Sequence, residues 1–197
     1  MPFKPEVSEG MPSLRAGYPA LESDAVTIVR GNEPVQVPLW QLNDHTTGWG
    51  LYSDTQYTSG SAFAVSGNTD TLLPNNAGTV IESQKPRDVE TFYRNGKITG
   101  RNGDGLLVAI TMHTRPTNAS TEYMDLWLDV GGSVGEIFRR TVPFPKGSGV
   151  EHSFSTTISC YTLDTWQQNG AAVYVRAPGP LDVYDIQYVI TRTHKAR

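Results

Sequence analysis

The chain is poor in the features by which enzymes and membrane proteins are most readily recognised. Its 197 residues hold a single cysteine, Cys160, which excludes an internal disulfide framework. No run of about 18 apolar residues occurs, so no segment has the length and apolarity of a membrane-spanning helix. The opening Met1-Pro2-Phe3-Lys4-Pro5 lacks the apolar stretch of a secretory signal, and production in a cytoplasm is expected. Basic clusters are missing as well, apart from the final residues. Lys and Arg total 16 against 20 Asp and Glu, a net charge of −4, which leaves no footprint for nucleic acid.

Catalytic and metal-binding patterns are equally thin. The histidines His45, His113, His152 and His194 show no i, i+2 or i, i+4 pairing that would make a metal site, although His113 and His152 could meet across strands. Asp125 and Asp129 lie four residues apart on one extended run, roughly 13 Å along it. Paired glycosidase carboxylates need about 5–9.5 Å. Asn102-Gly103-Asp104-Gly105 lacks the further acidic ligands of a calcium loop and suits a hairpin turn. Gly131-Gly132-Ser133-Val134-Gly135 lacks the lysine of a phosphate loop. Asn118-Ala119-Ser120 matches a glycosylation sequon, a match with little weight in the absence of a secretion signal. Cys160 has the place of an inert core thiol. No catalytic, cofactor-binding or metal-binding residue is expected, and no enzyme.

What the chain does have is alternation. From Gly103 to Val130, two runs have period two. Leu106, Val108, Ile110 and Met112 fall on one face of the first, and Met124, Leu126, Leu128 and Val130 on one face of the second. His152, Phe154, Thr156, Ile158 and Cys160 alternate with Ser153, Ser155, Thr157 and Ser159. Near the C-terminus Tyr184, Ile186, Tyr188 and Ile190 alternate with Asp185, Gln187, Val189 and Thr191. Turn clusters separate the runs, Asn95-Gly96 being the strongest hairpin signal. From Gly48 onward about eight or nine strands are expected, Asp88 to Tyr93 among them, and no helix. An all-β protein follows: an antiparallel jelly-roll β-sandwich with an extended N-terminal arm.

The arm covers residues 1 to about 25. Pro2, Pro5, Pro12 and Pro19 interrupt it, and it shows no apolar period, so it can gain order only by lying on something else. Phe3, Leu14, Tyr18 and Leu21 are its candidate docking anchors; a flexible tail is the alternative. A short hairpin follows, Val26 to Val29 with Val35 to Val37. The boundary is expected near Asn43-Asp44-His45, giving an arm-plus-hairpin region of residues 1–45 and a jelly-roll domain of residues 46–197.

The faces that should be wet carry large side chains. Tyr123 and Trp127 lie opposite the aliphatic row of their run, and a solvated sheet face seldom carries an indole unless something covers it. The other half of the sandwich, a sister subunit and a sugar ligand are all open as covers. Tyr184 and Tyr188 belong to a run with apolar groups on both faces, as expected where a sandwich packs on a partner. Tyr123, Trp127, Tyr184 and Tyr188 are therefore the interface candidates, with oligomerisation favoured over a monomer.

The order of motifs is similar to one found in phage virions. Trp49-Gly50-Leu51-Tyr52-Ser53-Asp54-Thr55-Gln56-Tyr57-Thr58 opens the domain. Ala62 to Val65, Thr71 to Asn76, Gly103-Asp104-Gly105, Leu126 to Gly132, Phe154 to Tyr161, Trp166 to Gly170 and Ile190 to His194 follow. This run, Gly48 to His194, resembles the jelly-roll virion proteins of tailed bacteriophages, among them head decoration (cement) proteins and tail-fibre tips. Their fold is similar to tumour-necrosis-factor and C1q-like heads, which commonly assemble as trimers. The resemblance implies a homotrimeric structural protein of the virion, assembled in the host cytoplasm. Its partners would be itself and the major capsid protein, with no nucleic acid, membrane or cofactor. The proline-rich arm, with no stalk, favours decoration of the head. The alternative is a fibre tip recognising host surface glycans.

Overall fold

The strongest alternations become the longest strands. The computed structural model describes residues 25–30, 33–38, 47–145 and 148–196, and the chain divides into two units, Met1–Asp44 and His45–Arg197. In the first unit β1 (Ala25–Arg30) and β2 (Glu33–Pro38) form an antiparallel hairpin. Gln36 Nε2 donates across it to Thr27 Oγ1 at 2.8 Å. The proposed docking anchors Phe3, Leu14, Tyr18 and Leu21 lie outside the described residues.

The second unit contains β3 (Gly48–Ser53), β4 (Phe63–Val65), β5 (Thr71–Leu72), β6 (Thr79–Ile81), β7 (Tyr93–Arg94) and β8 (Lys97–Ile98). Then come β9 (Gly105–Pro116), β10 (Tyr123–Asp129), β11 (Glu136–Pro143), β12 (His152–Tyr161), the short helix α1 (Asp164–Asn169), β13 (Ala172–Arg176) and β14 (Leu181–His194). One sheet runs β12-β9-β14-β3-β6 with β4 also on β14, and the other β11-β10-β13-β5. The pairings are nested: β3 with β14, β5 with β13, β9 with β12, β10 with β11, all antiparallel. Wrapping of that kind is a jelly roll. Its core is the inward alternation of both sheets, including Val108, Ile110, Met112, Met124, Leu126, Leu128, Ile186, Tyr188 and Ile190.

Three sequence expectations need correction. Asp88 to Tyr93 is not a strand; only Tyr93–Arg94 pairs, across the Asn95-Gly96 turn, where both residues have positive φ. A helix is present in α1, but six residues are too few to leave a 3.6-residue period in the sequence. His113 and His152 do not meet, because Ser153 is the residue opposite His113 and His152 lies opposite Thr114, on the other face.

The Trp49–Thr58 run has a structural explanation. Asp54 Oδ2 accepts from the backbone N–H groups of Gln56 (2.9 Å) and Tyr57 (2.7 Å), and its Oδ1 from that of Asn76 (3.0 Å). One buried carboxylate thus fixes the exit of β3 and the loop before β6.

The far end of the sandwich is held by charge. Arg192, on the inward side of β14, is 0% exposed. Its guanidinium donates twice to Asp88, at 2.7 and 3.0 Å, and lies 3.6 Å from Asp104. Arg101 and Lys195 also reach Asp88, at 3.2 and 3.4 Å, and the Ala196 N–H donates to Asp104 Oδ1 at 2.9 Å. The hydrogen bonds from Arg192, above all, hold the Asp88 carboxyl well below the usual carboxylate range.

Candidate functional site

The structure separates the four interface candidates. Tyr188 is 0% exposed and packs at 5.4 Å, edge-on, against Tyr93 in the core, so it is not a surface residue of the folded chain. Burial pushes its phenol well above the ordinary 10.0. Tyr184 does not share its face. β14 has a bulge between Tyr184 and Gln187, where Asp185 adopts φ 52°, and the extra residue flips the side-chain parity. Tyr184 therefore lies opposite His113 on the outer face. It is covered there by its own chain: His113 at 5.6 Å, the Arg115 guanidinium at 5.6 Å, and a hydrogen bond from its hydroxyl to Glu151.

Trp127 is on the outer face of the four-stranded sheet, as expected, but is only 3% exposed. Its cover is none of the three considered. The Arg139 guanidinium lies 4.1 Å from the ring centroid, and Tyr174 stacks beside it at 5.8 Å. Arg139 is itself gripped by Glu136 (2.5 Å) and Asp125 (3.0 Å). Tyr123, 41% exposed, is the one candidate left open to solvent.

The same sheet ends in a strained edge. Trp127 is opposed by two residues of β11, Phe138 and Arg139, and Phe138 takes φ 56° with its ring 47% exposed. A left-handed conformation costs a bulky residue about 1–2 kcal/mol. Phe138→Gly is expected to raise stability by about 1 kcal/mol, read as a higher urea midpoint at unchanged slope.

A different surface lies on the outer face of the six-stranded sheet. Register aligns its residues into rows across the strands. Thr79, Ser53, Gln187, Thr111 and Ser155 make one row; Ile81, Leu51, Val189, Ala109 and Thr157 the next; Trp49, Thr191, Leu107 and Ser159 the third. None of these side chains is charged, and none is buried. The outer face of the four-stranded sheet is the opposite case. It carries Asp125, Arg139, Glu136, Arg176 and Asp70, tied in ion pairs. The two faces thus differ in how charge is spread: the four-stranded sheet carries it across its outer face, whereas on the six-stranded sheet these three rows are free of it and the pairs Arg115–Asp182 and His113–Asp185 lie beyond them, around Tyr184.

No protein-family model matches the chain, and no curated protein matches it in sequence. Among solved structures it is similar to the PRD1 vertex protein P5, at 15% identity and a TM-score of 0.41 over 88% of this chain and 83% of that one. It is also similar to the Eiger TNF of S. frugiperda, at 10% and 0.47 over 77% and 94%. A third is a chain of the T13 IBDV viral particle, at 8% and 0.35 over 87% of this chain and 36% of that one. Likenesses of this grade carry no functional argument. The chain is a jelly roll by its own strand pairing.

Among the described residues no group of three or more His, Cys, Asp or Glu side chains could hold a metal ion. Cys160 is buried on the inward side of β12, and burial pushes its thiol up to about 12, far from a nucleophile's range.

Proposed function

We propose that this chain is a structural protein of a virion: a capsid decoration protein that binds the phage head as a homotrimer and stabilises it without catalysis. The observation that carries the reading is the three uncharged rows on the outer face of the six-stranded sheet. A second copy can cover it without burying unpaired charge, and the desolvation penalty of association is correspondingly small. The motif order from Trp49 to His194 supports the virion assignment, and the proline-rich segment with Phe3, Leu14, Tyr18 and Leu21 supplies the docking arm to the major capsid protein. The glycan-binding alternative loses its platform, because Arg139 and Tyr174 already cover Trp127.

Val189 stands in the middle of the uncharged face, flanked by Leu51 and Ala109. Val189→Lys is expected to reduce the mass measured by light scattering to that of a smaller species and to leave the circular dichroism spectrum unchanged. Deleting residues 1–24 is expected to keep the assembly and to abolish binding to capsids of the parent virus that lack this protein. An unchanged mass for Val189→Lys would remove the face from the assembly; undiminished capsid binding by the truncated protein would remove the arm as anchor.

A further inference from the structure

The two sheets also differ at their edges. β11, the rim of the four-stranded sheet, is blunted by a bulge, by the left-handed Phe138 and by Glu136, Arg139 and Arg140. β4, β5 and β6 are two or three residues long. Short strands, bulges and charge are the usual protections of a sheet edge. β12 has none of them. Its ten residues, His152–Tyr161, contain no Lys, Arg, Asp, Glu, Pro or Gly, and it pairs with β9 through its whole length without a register shift.

The direction of its free groups can be read from its end. The Thr162 N–H donates to the Asp104 carbonyl at 2.9 Å, continuing the β9–β12 register by one pair. In an antiparallel ladder such pairs alternate, so the even-numbered residues of β12 bond to β9. The odd-numbered residues Ser153, Ser155, Thr157 and Ser159 point their N–H and C=O groups outward. No described residue outside β9 pairs with β12.

We infer that β12 is a pairing edge for β12 of a second copy, joining two sandwiches through a continuous antiparallel sheet. The strand is complementary to itself about Thr156. In that register Ser153 faces Ser159 and Ser155 faces Thr157 of the second copy, and these are the residues with outward groups, giving about eight backbone hydrogen bonds. Phe154 faces Ile158, an aromatic–β-branched pair of the kind favoured across strands. No like charges are opposed, whereas β11 paired with itself would bring Arg139 and Arg140 together. The uncharged rows of the two copies also become one surface. Pairing through β12 brings copies together in twos, so it is separable from the face described above.

Light scattering on the full chain, over a range of concentrations, tests it. The expected species is a dimer, or a hexamer where trimers pair. Thr157→Pro removes one outward N–H and none of those bonded to β9, so it is expected to halve the mass. Ser153→Pro, which also removes one outward N–H and lies outside the three uncharged rows, should do the same if proline at 157 perturbs the fold. Amide exchange at Ser153, Ser155, Thr157 and Ser159 should be slow in the parent and fast at those of the four amides that each variant retains. A trimer at every concentration would overturn the pairing and leave the face reading standing. A monomer whose four amides are protected would assign the edge to another part of its own chain, and mass unchanged by both variants would also overturn the pairing.

Discussion

Trp166→Ala is expected to destabilise the protein by about 4 kcal/mol, against about 1 kcal/mol for Trp166→Phe. Trp166 is the buried residue of α1, and its indole N–H donates to the Ile98 carbonyl at 3.0 Å. The helix has six residues and no side-chain N-cap, so it cannot persist by propensity. Its place depends on the ring. Phenylalanine keeps most of the packing and loses one neutral hydrogen bond; the Ile98 carbonyl would still accept from the Ala171 N–H at 2.8 Å. Alanine leaves a cavity between α1 and β8. Urea unfolding of both variants measures the difference, and equal losses would show that the hydrogen bond, not the ring, holds the helix.

Asp88→Ala is expected to cost about 3 kcal/mol, a fall in melting temperature of about 6–12 °C. The substitution leaves the guanidinium of Arg192, wholly buried, with Asp104 at 3.6 Å as its nearest remaining carboxylate of the pair. The low end of the range for a broken buried pair applies, because the Asp88 side chain is about a quarter exposed. The pH dependence has a definite sign. The carboxyl is held well below its unfolded value of about 3.9, so its contribution is complete above that value and is lost as pH falls towards the folded one. Wild type and variant should therefore differ more at pH 7 than at pH 3. A gap that stays constant across that range would show that Asp88 contributes by packing rather than by charge.

Much of the sandwich is legible in alternation alone. Leu106 to Met112, Met124 to Val130 and Phe154 to Cys160 each announce their inward row, because a strand with one buried face cannot shift by one residue without exposing it. Parity is where such inference fails. A single extra residue at Asp185 moves Tyr184 to the outer face, and nothing in Tyr184-Asp185-Ile186-Gln187 marks the bulge. The uncharged face is half legible: Ser153, Ser155, Thr157 and Ser159, or Leu107, Ala109 and Thr111, are visible as uncharged alternations. Only the register shows that they lie side by side with Leu51 and Val189. Arg192 was hidden for a different reason. A charged residue in an apolar alternation suggests an outward position, and its two aspartates come from loops 104 and 88 residues away.

The nested pairing has a mechanical consequence. The domain begins at β3, whose first residue, Gly48, is opposite Arg192 near the end of β14, and β3 lies between β14 and β6. Tension applied through the preceding residues pulls β3 along its own axis. The ladder bonds on both sides then share the load at once, in shear, instead of opening one by one as in a zipper. At the point where the pull enters, the Arg192–Asp88 clamp fastens the neighbouring strand to the loop before β7. A domain tethered by its N-terminal side is thus built to resist being dragged.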